Sequence, residues 1–294
     1  MKFSATFLSL ALLLAGSVEA ASHVNRGHWR RTGPSAVYNE PTPVGPEGPG
    51  ETPPTTPTQP TDGAGSGKRG LEYNDASLTH LFTSPQFTWA YNWDSTPGGS
   101  LPSGVTFFPM LWDSSTDHTN SWSTNAAAAI AAGATHLLAF NEPDLGSQAN
   151  MSPTDAANAW RTYMEPFHGS ATLVSPAVTN GGTPLGVAWM SAFLAACSDC
   201  HIDKIAIHIY DSATNIAYFQ SYIQSVYAQF NKPIMLTEFG ASGSTAQQQT
   251  FLTQMMAWLD SQSYVTHYAY FFVSNGILVS GNSLSALGTT YNAQ

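Results

Sequence analysis

The sequence has few cysteines, few basic side chains and no long apolar run, and each scarcity excludes a class of protein. Its 294 residues include two cysteines, too few for a four-cysteine zinc site. Lys and Arg number 9 against 19 Asp and Glu, so the chain lacks the basic patch that a nucleic-acid-binding protein needs. No run reaches the roughly 20 uninterrupted apolar residues of a transmembrane helix.

The N-terminal residues have the pattern of a secretory signal peptide. An apolar run over residues 7–15 follows Lys2 and precedes small residues near Val18 and Ala20. We predict a signal peptide over residues 1–20. The protein is then expected to be secreted, to the extracellular space or the cell wall, with no membrane span.

A segment of low complexity follows. Residues 32–67 are crowded with Pro, Thr, Gly and Glu and cannot offset the entropy of ordering, so we predict disorder. This segment ends at the dibasic pair Lys68–Arg69, and Arg30–Arg31 is a second such pair. Lys68–Arg69 predicts that residues 21–69 are a propeptide removed by a dibasic-specific protease, which would leave Gly70 as the mature N-terminus. The alternative is an intact charged linker.

The remainder of the chain is acidic and rich in aromatic residues. Residues 70–294 carry three basic side chains against 14 acidic ones, a formal net charge of −11. Aromatic residues make up 12% of the full sequence. These features suit an uncharged ligand that stacks on aromatic rings, such as a neutral polysaccharide.

The two cysteines, Cys197 and Cys200, are separated by two residues. In a secreted chain this spacing predicts a local disulfide, with a redox motif as the alternative. Closing so small a loop stabilises by only about 2 kcal/mol on the loop-entropy model. The bond would therefore staple one connection and not carry the fold.

Strand-like runs alternate with helical segments from Gly70 to the end of the chain. The strand candidates begin at Gly70, Phe87, Val105, Thr135, Ala171, Ile202, Pro233 and Thr266. Helical spacing is found over residues 153–167, 184–197, 213–230 and 245–262. Eight strands alternating with helices predict an α/β fold, a compact (β/α)8 TIM barrel over residues 70–294. The connection 94–104 shows no helix, and a doubly wound open sheet is the alternative.

Residues 70–294 contain just four glutamates, and their positions distinguish them. Glu142 and Glu238 directly follow the fourth and seventh strand candidates, at the barrel end where TIM barrels build active sites. Glu165 lies on a predicted helix, as a solvated surface charge would, and Glu72 lies within the first strand candidate. Glycosidic cleavage uses two carboxyl groups, one to protonate the leaving oxygen and one to meet the anomeric carbon. Glu142 and Glu238 are therefore the predicted catalytic pair.

Six blocks, in the same order, resemble glycoside hydrolase family 128, the fungal endo-β-1,3-glucanases of the alkali-sensitive linkage protein type. The blocks are KRGL at 68–71, WAYNW at 89–93, FNEPD at 140–144, SPAV at 175–178, HIY at 208–210 and LTEFG at 236–240. This resemblance implies a retaining TIM-barrel glycosidase that needs no metal or cofactor. It also implies that Glu142 is the general acid/base and Glu238 the nucleophile.

The resemblance implies further site residues. Asn141 would hydrogen-bond the sugar 2-hydroxyl, and His208 and Tyr210 would hold Glu238, with a buried structural histidine as the alternative for His208. Aromatic side chains expected to stack on sugars, or else to lie in the core, are Trp89, Tyr91, Trp93 and Trp112.

The predicted function is endo-acting hydrolysis of β-1,3-glucan by double displacement, with the two carboxyl groups about 5 to 5.5 Å apart. A non-catalytic glucan-binding protein on the same fold, and a glycosidase acting on mannan or cellulose, are the alternatives. Asn150 begins the one acceptable glycosylation sequon. We expect a monomer with no obligate protein partner.

Overall fold

The structure is a computed structural model that describes residues 67–293. The predicted signal peptide, the Arg30–Arg31 pair and nearly all of the predicted disordered segment lie outside the described residues. Within residues 67–293, no helix combines the length and the apolar character needed to cross a membrane.

Eight parallel strands form one sheet, and all eight strand candidates are confirmed. The strands are β1 Arg69–Glu72, β2 Phe87–Tyr91, β3 Thr106–Phe107, β4 His136–Leu138, β5 Thr172–Val178, β6 Lys204–Ser212, β7 Ile234–Ser242 and β8 Val265–Tyr270. Their order is β3-β2-β1-β8-β7-β6-β5-β4, and a parallel bridge between Met110 and Leu138 joins the two ends. Because β1 lies beside β8 and the ends meet, the sheet closes as a barrel. The open doubly wound alternative is wrong.

Helices cover the outside of the barrel. They are α1 Ala76–Thr79, α2 Thr116–Ala131, α3 Pro153–Tyr163, α4 Gly186–Ala196, α5 Ile216–Phe230, α6 Thr245–Ser261 and α7 Ala286–Tyr291, with a 3-10 turn at Glu165–Phe167. The predicted helices correspond to α3 with this turn and to α4, α5 and α6. The connection from β2 to β3 has no helix, as predicted. A short antiparallel hairpin, β9 Val279–Ser280 with β10 Ser283–Leu284, precedes α7.

Local sequence explains where these helices begin. The Ser152 side chain accepts the N–H of Asp155, with Pro153 in the first turn, which fixes the start of α3. Ser244 and Gln247 form a reciprocal capping box at the start of α6. These caps satisfy N–H groups that a helix otherwise leaves without partners.

Strand alternation divides the apolar residues into two layers. One layer packs between the sheet and the helices, and the other fills the barrel interior with Trp89, Tyr91, Phe108, Met110, Leu138, Val174, Ala177, Ala206, Met235 and Ala269. The ring of Trp89 lies so close to Gly70 that a Cβ there would be 2.3 Å from it. The interior packing therefore requires glycine at this position.

The predicted disulfide is confirmed. Cys197 and Cys200 are bonded, with an S–S distance of 1.98 Å. The bond closes the turn directly after α4, which ends at Ala196. It is a local staple, as its short loop predicted.

Candidate active site

Glu142 lies just beyond β4, at the C-terminal end of the barrel. Its N–H donates to the carbonyl of Ala177 at 2.8 Å, and the N–H of Asn141 donates to the carbonyl of Trp112 at 2.9 Å. Glu142 has a φ of 43°, in the left-handed region that non-glycine residues rarely occupy. Such a conformation costs on the order of 1–3 kcal/mol and is typical of functional positions.

The Glu142 side chain is only 2% exposed. Its Oε1 lies 2.9 Å from Nδ1 of His208, whereas Oε2 has no hydrogen-bond partner within residues 67–293. Burial raises the pKa of Glu142; the contact with His208 opposes this rise, and the charges of Glu238 and Asp144 add to it. The result is a carboxyl group suited to carry a proton, with one oxygen free for a substrate.

Glu238, on β7, is surrounded by hydrogen-bond donors. Trp93 Nε1 donates to its Oε1 at 2.9 Å, and the Tyr91 hydroxyl reaches the same oxygen at 3.5 Å. The Tyr210 hydroxyl donates to Oε2 at 2.5 Å, which is the contact predicted for Tyr210. Several donors aimed at one carboxyl group match the acceptor-only, ionised form. They also fix the orientation of this group, as a nucleophile requires.

His208 bridges the two glutamates. It pairs in register with Glu238, and its Nδ1 lies 2.9 Å from Glu142 and 3.5 Å from Glu238. Its Nε2 lies 3.0 Å from Oγ1 of Thr237, a contact that sequence reasoning did not predict. Burial alone would lower the pKa of His208, but Glu238 and Glu142 raise it overall. His208 therefore contacts both carboxyl groups and lies nearer to Glu142, and its role in holding Glu238 stays a prediction.

The two carboxyl groups face each other across the barrel mouth. One oxygen of Glu142, one oxygen of Glu238 and a ring nitrogen of His208 all lie within 4.8 Å of one another. Retaining glycosidases have carboxyl groups about 5–5.5 Å apart, and inverting enzymes about 6.5–9.5 Å. The separation therefore fits the retaining geometry. The same three atoms form the one group within residues 67–293 whose spacing could hold a metal ion.

Asn141 lies beside Glu142 and is also buried. Its Nδ2 donates to Gln148 at a long 3.4 Å, and its Oδ1 has no partner among the described residues. An unpartnered buried amide oxygen is costly unless a ligand satisfies it. The geometry therefore suits the predicted contact with a sugar hydroxyl.

Sequence reasoning assigned no role to Asp144, although it belongs to the quoted FNEPD block. Its carboxylate accepts the Thr179 hydroxyl at 2.6 Å, the Thr179 N–H at 3.2 Å and the Gly186 N–H at 2.8 Å. It thereby ties the loop that carries Glu142 to the loop after β5 and to the start of α4. Its position two residues after Glu142 was the signal that could have identified it.

Two of the four aromatic residues predicted to stack on sugars cannot do so. Trp89 is fully buried and stacks between Tyr91 and Phe108, with ring centroids 5.8 and 5.4 Å away. Tyr91 is also fully buried, and its hydroxyl donates to the carbonyl of Thr237 at 3.0 Å. The stacking prediction is wrong for both because alternation along β2 points these rings into the barrel.

The other two aromatic residues lie nearer the surface. Trp93 is half-buried, and its indole N–H donates a hydrogen bond to Glu238, a role that its sequence position did not indicate. Trp112 is half-buried beside His118, with ring centroids 5.4 Å apart. Sugar stacking by Trp93 and Trp112 stays a prediction.

Glu165 lies away from the mouth, in the helical layer. It accepts a hydrogen bond from the indole N–H of Trp160 at 3.1 Å and forms another with His201. Its position is therefore fixed by protein contacts, and it is not merely a solvated charge. Asn150, the predicted glycosylation site, is exposed.

Comparison with known sequences gives an independent result. The chain matches the family model described as glycosyl hydrolase catalytic core over residues 70–291. It is 32% identical over 252 residues to alkali-sensitive linkage protein 1 of Schizosaccharomyces pombe, an alignment that covers 77% of this chain and 44% of that protein. The chain thus spans less than half the length of this curated relative.

Solved structures of family 128 enzymes are also similar. A subgroup III curdlan-specific exo-β-1,3-glucanase from Blastomyces gilchristii is 42% identical, with a TM-score of 0.73. A subgroup II endo-β-1,3-glucanase from Sorangium cellulosum and a subgroup I endo-β-1,3-glucanase from Amycolatopsis mediterranei bound to laminaripentaose are each 31% identical, with TM-scores of 0.68 and 0.66. Each alignment covers 77% of this chain and 98% of the other.

Proposed function

This chain belongs to the glycosyl hydrolase catalytic core family and, within it, to glycoside hydrolase family 128, and we propose that it hydrolyses β-1,3-glucan with retention of configuration. The observation that carries the proposal is the pair of buried carboxyl groups, Glu142 and Glu238, with oxygens within 4.8 Å. One has a free oxygen and a raised pKa, and the other is held by several donors.

In the first step, Glu142 donates its proton to the glycosidic oxygen as the bond to the anomeric carbon breaks. Glu238 attacks that carbon and forms a glycosyl ester, and the shortened glucan leaves with the proton. Trp93 and Tyr210 hold the attacking carboxylate in line, so its orientation is set before the substrate arrives. In this scheme, Asn141 binds the 2-hydroxyl of the reacting sugar.

In the second step, Glu142 acts as a base. It removes a proton from water, and the resulting hydroxide displaces Glu238 from the anomeric carbon. His208 lies against both carboxyl groups and can offset the negative charge that moves from Glu238 to Glu142. Because burial raises the pKa of Glu142, the active protonated form persists to higher pH, and kcat/KM should fall as pH rises through that raised pKa.

The similar structures support β-1,3-glucan as the substrate, since they are β-1,3-glucanases and one contains laminaripentaose. Endo action is the mode that the sequence resemblance implied. Exo action is a second candidate, because the Blastomyces gilchristii exo enzyme is 42% identical and the two endo enzymes are 31% identical. Measuring the viscosity of a glucan solution together with the release of reducing ends separates the two modes. Endo cleavage lowers the viscosity early, whereas exo cleavage releases reducing ends with little early change in viscosity.

The direct test is incubation of the purified protein with laminarin, curdlan, cellulose and mannan, with reducing ends measured over time. We expect release from the two β-1,3-glucans, and release at least about a hundredfold slower with Glu238→Gln under the same conditions. Binding to curdlan without release of reducing ends would instead identify a glucan-binding protein. Release of reducing ends from mannan or cellulose alone would contradict the proposal that β-1,3-glucan is the substrate.

We also propose that the protein is secreted and acts outside the cell or in the wall. The predicted signal peptide at residues 1–20 and the neutral polysaccharide substrate support this location. Detection of the protein in culture medium or a wall fraction, and its loss when residues 1–20 are deleted, would test it.

A further inference from the structure

The dibasic pair Lys68–Arg69 is part of the barrel. Lys68 Nζ donates to the carbonyl oxygens of Leu259, Asp260 and Gln262 at 3.1, 3.0 and 2.7 Å, at the C-terminal end of α6. A helix leaves its last carbonyls without internal partners, and a cation there also interacts favourably with the helix dipole. The Lys68 ammonium group is therefore already occupied as a helix cap.

Arg69 is held more tightly still. It is 5% exposed, and its Nε donates to the Tyr268 hydroxyl at 3.1 Å. Its Nη1 donates to the carbonyls of Tyr291, at 3.1 Å, and of Ala293, and its Nη2 lies 3.7 Å from Asp260. One guanidinium group thus connects β1 to β8, to the end of α6 and to the segment after α7.

The backbone around the pair is bonded on both sides. The Lys68 carbonyl accepts the N–H of Tyr268 at 2.9 Å and the indole N–H of Trp89 at 3.1 Å. The Gly70 carbonyl accepts the Tyr291 hydroxyl at 2.8 Å, and β1 pairs with both β2 and β8. A protease typically binds its substrate as an extended strand, which needs an unpaired edge. Strand β1 offers none at the Arg69–Gly70 bond.

From these contacts we propose that Lys68–Arg69 is the clamp that closes the barrel between β1 and β8, and that the folded barrel protects the Arg69–Gly70 bond from a dibasic-specific protease. This inference replaces the expectation that the mature chain begins at Gly70, and only its cellular part rests on the proposed secretion.

Treating the purified full chain with a kexin-type protease, and following the new N-termini by mass spectrometry, tests the proposal. A synthetic peptide of residues 62–75 is the matched control and should be cut rapidly after Arg69. We expect the Gly70 terminus to form from the folded chain at least about a hundredfold more slowly, because cutting there requires the barrel to open. Formation of Gly70 from the folded chain as fast as from the peptide would overturn the clamp.

A variant can loosen the clamp without altering the dibasic sequence. Tyr268→Phe removes the hydroxyl that accepts from Arg69 and donates to Asp260 at 2.7 Å. It should raise the rate of cleavage after Arg69 by about tenfold or more, because two hydrogen bonds are lost. Tyr264→Phe, on the outside of the barrel, should leave this rate unchanged. Equal rates in both variants would contradict the role assigned to Arg69.

The cellular part has its own readout. The N-terminus of the secreted wild-type protein should lie before Lys68. A start at Gly70 would overturn the proposal. Protein found only inside the cell would contradict secretion, and the protease assay would still decide the clamp.

Discussion

Buried ionisable groups occupy both ends of the barrel, but they differ in kind. The mouth cluster consists of Glu72, Glu142, His208 and Glu238, and the floor cluster of His136, Lys204 and His267. Burial raises the pKa values of Glu72 and Glu142. Burial, with the nearby charge of Lys204, lowers the pKa of His136 and lowers that of His267 to about 3.

A shifted pKa therefore does not by itself identify an active site. In the floor cluster, His136 and His267 pack ring against ring with centroids 4.7 Å apart, and Phe108 stacks on His136 at 4.6 Å. In the mouth cluster, donors converge on Glu238 while an oxygen of Glu142 is left unpartnered. Convergent hydrogen bonds around a reactive gap distinguish catalysis from packing.

The largest effect is expected when the catalytic pair is neutralised. Glu142→Gln and Glu238→Gln keep the size and shape of the side chain and remove only its carboxyl group. Each should lower kcat/KM on laminarin by about a hundredfold to ten-thousandfold while the protein stays folded. Glu165→Gln is the matched control, because its carboxyl group lies in the helical layer, and its activity should be unchanged. Activity within about tenfold of wild type in either mouth variant would remove that residue from its role.

A smaller effect is expected from the donors that hold Glu238. Tyr210→Phe removes the 2.5 Å hydrogen bond to Oε2, and a bond to a charged group contributes about 1.5–3 kcal/mol. We therefore expect kcat to fall by about ten- to a hundredfold with little change in KM. Tyr227→Phe, whose ring stacks on Tyr264 outside the barrel, is the control. Equal kcat values for the two variants would show that Tyr210 does not position the nucleophile.

The floor cluster should affect stability and not catalysis. Folded His267 has a pKa of about 3 against a usual value of 6.5, so between these values the unfolded chain takes up a proton that the folded chain refuses. The free energy of unfolding should therefore fall as pH drops below about 6.5. His267→Gln should reduce this slope by up to about 1.4 kcal/mol per pH unit, without lowering kcat at the optimum.

Denaturant unfolding of wild type and His267→Gln at several pH values measures this effect. Identical slopes would mean that His267 titrates normally in the folded protein. A large loss of kcat would place the floor cluster in the catalytic machinery.

The smallest effect belongs to the disulfide. Replacing Cys197 and Cys200 together by alanine should lower the free energy of unfolding by about 2 kcal/mol and leave kcat/KM unchanged, because the bond closes only a short turn. Thermal unfolding with an activity assay checks both. Failure to fold would show that the bond supports more than one connection.

Local patterns predicted the barrel well and its interior less well. Apolar strands ending in Glu142 and Glu238 identified both the fold and the mouth, because strand ends in a TIM barrel converge. Helix α2 was missed since its alanine- and threonine-rich sequence buries only Trp122 and Ala126. The contacts of Trp93 with Glu238 and of Thr237 with His208 were not predicted, because contacts across the barrel depend on register and backbone turns that no local pattern records.

Proton NMR of a fresh laminarin digest, recorded before mutarotation, distinguishes retention from inversion at the anomeric carbon. Carboxyl oxygens within 4.8 Å of each other are closer than the roughly 6.5–9.5 Å of inverting enzymes, so we expect Glu238 to form the ester and the product to keep the β-configuration. We expect the β-anomer signal to appear first and the α-anomer signal only later. An initial α-anomer signal would mean inversion and would contradict the nucleophile role of Glu238, even if both glutamates proved essential.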